Sequence, residues 1–327
     1  MKAMALFRQN EPLRMIERPD PVAGPGQIAL EVLSCGVCRT DLHIADGDLP
    51  IAHYPVIPGH EIVGRVIALG EDVAGYALGD RVGVPWLGHT CGTCRFCRAE
   101  RENLYDVPHF TGWQLDGGYA THALAEPRYC FPIPSRYSDA QAAPLLCAGL
   151  IGHRSLKATG GARDIGIYGF GAAAHIVAQV AAAEGRRIYA FTRPGDQAAQ
   201  QLARECGAVW AGGSDEKAPV ELDAAIIFAA VGALVPLALK QLSKGGTLVL
   251  GGIHMSEIPA MPYEILWGER VIRSIANLTR DDGLEFMRVA ERVPLKMSVT
   301  TFPLAEANDA LQRLRDGELT GAAVLIP

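Results

Sequence analysis

The stretch from Asp164 to Ala174 constrains this chain more than any other. An apolar run, DIGIY, reaches Gly169-Phe170-Gly171 and passes straight into the small apolar residues of 172–184. A strand that turns through two glycines into a helix is the usual entry to a parallel α/β sheet. The first glycine permits the tight turn, and the second lets another group approach the backbone closely. The surrounding texture agrees. Residues 164–168, 187–191, 224–228, 247–251 and 271–276 read as strands, and 172–184, 197–205 and 235–242 as helices. Strands that are apolar throughout and alternate with helices predict a doubly wound sheet covered on both faces.

The first 150 residues read differently. Short runs at 28–33, 62–69 and 81–84 are broken by the turns PVAGPGQ, IPGHE and YALGD, which predicts a β-rich unit. Residues 131–160 then become helical, and the last fifty return to mixed structure with an amphipathic helix at 304–315. At about 150 residues per domain, 327 residues allow two domains. The expected division is 1–149 with 278–327 against 150–277.

Composition removes several function classes. With 49% apolar and 20% charged residues, disorder is excluded. A net charge of −6 without any dense basic run argues against a nucleic-acid grip. The N-terminus meets charge and proline before a signal-peptide core forms, and the uncharged stretch AAIIFAAVGALVPLAL falls short of the ~20 residues that span a bilayer. A soluble, cytoplasmic protein is expected, with no nucleic-acid or membrane partner.

Two motif sets carry chemistry. Gly169-Phe170-Gly171-Ala172-Ala173-Ala174 is a G-x-G-x-x-A turn, a variant of the dinucleotide fingerprint, with the pyrophosphate expected at the helix N-terminus. The next strand ends in Thr192-Arg193, with no carboxylate before Asp196. An acid there would bind a ribose 2′-hydroxyl, whereas an arginine can pair with a 2′-phosphate, so NADP(H) is favoured over NAD(H). The eight cysteines are too few for a secreted disulfide scaffold, yet five fall in two tight groups. Cys91-x-x-Cys94-x-x-Cys97 reads as a metal knuckle, and the iron–sulfur alternative fails because position 101 is Arg. Cys38 and His60 are ligand types for zinc, although spacing alone does not bring them together; taken singly, Cys38 reads as a small buried hydrophobe and His60 as a satisfied turn residue.

Taken together, the strings GVCRTDLH, PGHEIVG, GDRVGV, CGTCRFC, RENLYD, DGGYATH, PLLCAGL and YGFGAAAH resemble the zinc-dependent medium-chain alcohol dehydrogenases over nearly the whole chain. The resemblance implies a GroES-like β-rich catalytic domain, discontinuous in sequence, and a Rossmann domain. It assigns a catalytic zinc to Cys38, His60 and Cys147, the last of which is otherwise an ordinary buried cysteine in an apolar helix. It places Glu61 beside the metal as an exchangeable ligand and Asp41 behind His60. It gives Thr40 the substrate hydroxyl proton and His43 its release to solvent. Arg39 is placed on the pyrophosphate, and Ile253 joins Gly169, Gly171, Ala172, Ala174, Thr192 and Arg193 in the cofactor-binding set. Trp86 and Trp113 are expected in the substrate pocket, favouring small or flat primary alcohols and aldehydes, and Trp267 near a subunit contact. A homo-oligomer, dimer or tetramer, is expected through residues 271–276.

One position departs from the family. Tyr105 stands where a fourth knuckle cysteine is expected, and a phenol with a pKa near 10 is a poor zinc ligand. A three-thiolate site completed by Asp106, His109 or another group, partial occupancy, and an empty lobe all remain open. The rival readings are a zinc-free quinone or enone reductase on the same fold and a zinc-knuckle binding protein.

Overall fold

In the computed structural model, which describes residues 1–51, 53–319 and 321–327, the chain divides into two compact units. Met1–Cys147, Leu278–Arg292 and Met297–Pro327 form one, and Ala148–Asn277 with Val293–Lys296 form the other. The short return of Val293–Lys296 to the second unit has a local cause. The Gln179 amide donates to the Lys296 carbonyl at 3.0 Å and accepts from its N–H at 2.8 Å.

The first unit is built on a seven-stranded sheet. Ile28–Val37 is its central strand, pairing antiparallel with Ile62–Leu69, with His122–Ala125 and with the C-terminal strand Ala322–Ile326. Strands Arg81–Val84 and Phe131–Pro132 extend one side, and Val299–Pro303 lies parallel to Ala322–Ile326 on the other. Ile28–Val37 is buried along nearly its whole length because residues on both faces meet apolar neighbours. The C-terminal tail thus ends beside the segment that leads to Cys38. The amphipathic helix expected at 304–315 forms as Ala307–Asp316, preceded by a single 3₁₀ turn.

The second unit is a six-stranded, all-parallel sheet in the order Ala208–Gly213, Arg187–Thr192, Asp164–Tyr168, Leu222–Ile227, Leu242–Leu250, Val271–Ser274. Strand Ala208–Gly213 was not foreseen; its two closing glycines and exposed Val209 break the apolar run that marks its neighbours. The uncharged stretch noted above forms the end of strand Leu222–Ile227 and helix Leu234–Gln241. Among the described residues no helix is long and apolar enough to cross a membrane. Strand order reverses between Asp164–Tyr168 and Leu222–Ile227, and ligands of open α/β sheets bind in the crevice beyond the strand ends at such a point. The Gly169 turn lies there.

Candidate active site

Strand Ile28–Val37 delivers Cys38 to the N-cap of helix Arg39–Asp46. The cap is reciprocal: the Cys38 N–H donates to Asp41 Oδ2 at 2.9 Å, and Cys38 Sγ accepts from the Thr40 N–H at 3.4 Å. His60 and Glu61 come from the turn before strand Ile62–Leu69. Gly59 in that turn has φ +97°, and a Cβ there would lie 2.4 Å from Tyr119, so the PGHE turn needs glycine. Cys147 differs from expectation. It sits between the 3₁₀ turn Ala143–Leu146 and helix Ala148–Ala158 with φ −129° and ψ −69°, half-buried rather than inside a helix. The break turns its thiol away from a helical ladder and toward the other ligands.

The ligand atoms of Cys38, His60, Glu61 and Cys147 all lie within 4.8 Å of one another. Cys38 Sγ is 3.1 Å from His60 Nε2, while His60 Nδ1 faces Asp41 Oδ1 at 3.3 Å. Asp41 is itself pinned, since Oδ1 also accepts from the Gly59 N–H at 3.1 Å. The electrostatics of the cluster are those of a buried group short of positive charge. A hydrogen bond from Cys147, with His60 nearby, holds the Cys38 thiol well below its usual range, and the same hydrogen bond and burial push Cys147 up. Burial, then the Cys38 charge, raises Glu61. Burial disfavours a charged His60 ring, but Cys38 and Asp41 more than offset it. Two thiols, an imidazole presenting Nε2 and a carboxylate, sharing protons in a buried site, are a donor set that fits a zinc ion.

Helix Arg39–Asp46 carries three further residues. Thr40 is buried, His43 lies one turn on with its Nδ1 2.7 Å from Asp48 Oδ2, and Arg39 is exposed. Residues three apart share a helix face, so Thr40 and His43 form a short track from the buried cluster outward.

An aromatic wall stands beside the cluster. The Trp86 ring centroid is 6.2 Å from that of His60. Trp86, Phe110 and Trp113 lie nearly parallel, with interplanar angles of 8–15° and centroids 4.0, 5.6 and 6.0 Å apart. The indole N–H of Trp113 donates to the Pro50 carbonyl at 2.9 Å. Trp86 and Trp113, the two residues expected to line a substrate pocket, thus belong to one aromatic stack with Phe110. Phe110 was missed, because a single phenylalanine in a loop string carries no periodic signal.

Cys91, Cys94 and Cys97 also converge within 4.8 Å, and Cys94 caps the short helix Arg95–Arg98. Backbone N–H groups of Thr93 and Cys94 lower the Cys91 thiol to about 6, while burial raises Cys97. Tyr105 is at hand, hydrogen-bonded to Cys91, and burial and that thiolate raise its own pKa. The phenol therefore donates to the lobe. Neither Asp106 nor His109 joins the three thiols within that distance.

In the second unit, Gly169 has φ +85°, and a Cβ there would meet Ala229 at 2.9 Å. At Gly171 a Cβ would meet nothing within 4 Å, and no side chain caps the helix Ala172–Ala183 that it begins. The turn thus presents open space against uncapped N–H groups, which suits a pyrophosphate. Ala174 is fully buried and packs rather than faces that space. Thr192 is likewise buried, its hydroxyl engaged with the Arg193 and Gly212 carbonyls and the Gln200 amide. Arg193 is exposed, and Asp196 caps the next helix through Ala199 N–H. Ile253 is 48% exposed in the loop after Leu242–Leu250.

Comparison with known proteins agrees with this geometry. Residues 24–135 match the alcohol dehydrogenase GroES-like domain family. The chain is similar to a probable alcohol dehydrogenase AdhA of Mycobacterium tuberculosis, 45% identical and covering 96% of this chain and 93% of that one. An alcohol dehydrogenase of Geobacillus stearothermophilus is 34% identical and covers 99% of both. The solved structure of a cobalt- and zinc-bound thermostable alcohol dehydrogenase from Pyrobaculum aerophilum superposes with a TM-score of 0.91, at 25% identity over 100% of this chain and 99% of that one.

Proposed function

The chain belongs to the alcohol dehydrogenase family of medium-chain dehydrogenases, and on that premise we propose a zinc-dependent, NADP(H)-preferring enzyme interconverting primary alcohols and aldehydes. The observation that carries this reading is the meeting of Cys38, His60, Glu61 and Cys147 within 4.8 Å beside the Trp86 ring. The cobalt- and zinc-bound Pyrobaculum relative supports the choice of metal. A zinc-free quinone or enone reductase would have no use for such a donor set.

In this reading Cys38, His60 and Cys147 hold the zinc, with Glu61 as the exchangeable fourth donor. When bound, zinc supplies the Lewis acidity that makes a substrate hydroxyl more acidic, and the nicotinamide supplies the hydride acceptor. Asp41 fixes the ring orientation of His60 from behind. Thr40 accepts the substrate proton at its hydroxyl, and His43 releases it to solvent from the same helix face. The Trp86–Phe110–Trp113 wall excludes water and favours flat or unbranched substrates. In the second unit, the first-turn N–H groups beyond Gly171 hold the pyrophosphate, Arg193 pairs with a 2′-phosphate, and Ile253 lies against the cofactor. Exposed Val271 on the edge strand Val271–Ser274, with Trp267 63% exposed nearby in sequence, supports a homo-oligomer, dimer or tetramer.

The test is absorbance at 340 nm with benzyl alcohol or ethanol and each cofactor, with and without chelator. Turnover that favours NADP⁺ and is lost to chelator is expected. No turnover with either cofactor in zinc-replete protein would overturn the reading.

A further inference from the structure

Away from the Cys38–His60–Cys147 cluster, the first unit contains a cavity of about 640 Å³, lined in part by His89, His109, His122, Glu126, Arg18 and Asp116. Two of these histidines face each other by construction. Strands Leu87–His89 and His109–Phe110 pair antiparallel, and His89 is the direct partner of His109. Directly opposed residues of an antiparallel pair put their side chains within reach of a common atom. The imidazole centroids are 5.4 Å apart and the rings tilted by 36°. Two imidazoles on one tetrahedral ion, with metal–nitrogen bonds near 2.0–2.1 Å, have centroids roughly 5 Å apart. The pair is already spaced as if to share an ion.

A third residue sets the orientation. Glu126 Oε2 lies 2.7 Å from His89 Nδ1. A carboxylate on Nδ1 places the proton there and leaves Nε2 as a lone-pair donor, the arrangement found behind metal-binding histidines. Glu126 is in turn held by Arg128, so the carboxylate cannot swing in as a ligand without breaking that pair. His122, whose Nδ1 meets Thr121 Oγ1 at 3.0 Å, does not gather with His89 and His109 into a three-residue metal cluster.

We propose that His89 and His109 form a further divalent-cation site, separate from the Cys38–His60–Cys147 cluster and from the three-thiol lobe. Imidazole donors with water completing the shell select a borderline cation such as Zn²⁺ or Ni²⁺ over the hard cations Mg²⁺ and Ca²⁺. Glu126 is a positioning residue that acts through His89.

The experiment titrates Ni²⁺ by calorimetry into the untagged zinc enzyme, first dialysed against a mild chelator to strip loosely held zinc, in the wild type and in His89→Gln, His109→Gln, Glu126→Gln and Cys94→Ser variants. One Ni²⁺ per chain is expected in the wild type and in Cys94→Ser, abolished in both histidine variants. Glu126→Gln should weaken it by about 10–100-fold. An ion that survives His109→Gln, or that needs Cys94, belongs elsewhere and overturns the proposal. So does the absence of any additional ion in the wild type. Because His109 is exposed and His89 half-buried, unchanged melting temperatures should accompany the lost site.

Discussion

Asp41 Oδ1 lies 3.3 Å from His60 Nδ1, and both side chains are fully buried. The same carboxylate accepts the N–H groups of Cys38 and Gly59. One residue thereby ties together the two segments that carry the first two proposed ligands, and its removal should be felt in both metal affinity and folding. Asp41→Ala is expected to weaken zinc binding by about 10–100-fold. It should also cost about 2 kcal/mol, since two buried N–H groups lose their acceptor. Chelator competition and urea unfolding of the same variant read the two effects separately.

The two glycines of the dinucleotide turn should separate folding from cofactor binding. Gly169→Ala forces a Cβ into Ala229 at a positive φ and should destabilise the protein by about 2 kcal/mol. Gly171→Ala adds a methyl to open space and should leave stability within ~0.5 kcal/mol. Its cofactor dissociation constant should nonetheless rise at least tenfold. Fluorescence titration with NADPH, beside a melting curve, checks both.

In the proposed function the preference for NADP(H) falls to Arg193, because the Thr192 hydroxyl is already engaged within its own unit. A charge-assisted pair with a 2′-phosphate is worth about 1.5–3 kcal/mol. Arg193→Ser should therefore raise the KM for NADP⁺ by about 10–100-fold and leave that for NAD⁺ nearly unchanged. Equal effects on both cofactors would remove Arg193 from the specificity argument.

Acid should expose a buried histidine in the second unit. Burial lowers the His175 imidazole from 6.5 to about 4. Above pH 6.5 the folded and unfolded rings are both neutral and the contribution is fully present. As pH falls from 6.5 toward 4, the unfolded chain takes up a proton that the folded one does not, and about 3 kcal/mol is lost. Urea midpoints measured across that window should fall more steeply for the wild type than for His175→Leu.

Metal content distinguishes the two cysteine sites. Three thiols with a hydrogen-bonding phenol in place of a fourth sulfur leave the lobe short of a closed tetrahedral shell. Protein dialysed against a mild chelator should retain clearly fewer than two zincs per chain. Tyr105→Cys should restore the second and slow its release. Two firmly held zincs in the wild type would show that the lobe closes by other means.

What the sequence determined by itself was everything governed by local spacing. The alternation of apolar strands and helices required the parallel sheet, the G-x-G-x-x-A string required the glycine turn, and the C-x-x-C-x-x-C string brought its three thiols together. Thr40 and His43 share a face because a helix repeats every 3.6 residues. Edges were less legible: strand Ala208–Gly213 was hidden by its glycines, and Phe110 gave no sign of the stack it completes. The cluster of Cys38, His60, Glu61 and Cys147 was beyond local reasoning altogether. Cys38, His60 and Cys147 belong to separate segments, and only family resemblance joined them beforehand. Their meeting depends on how a strand end, a glycine turn and a broken helix pack, and Cys147 faces the cluster because the helix expected there is interrupted. Such long-range packing arises from the burial of whole surfaces, so no short window of residues encodes it. The same holds for the His89–His109 pair, which the register of two brief strands places face to face.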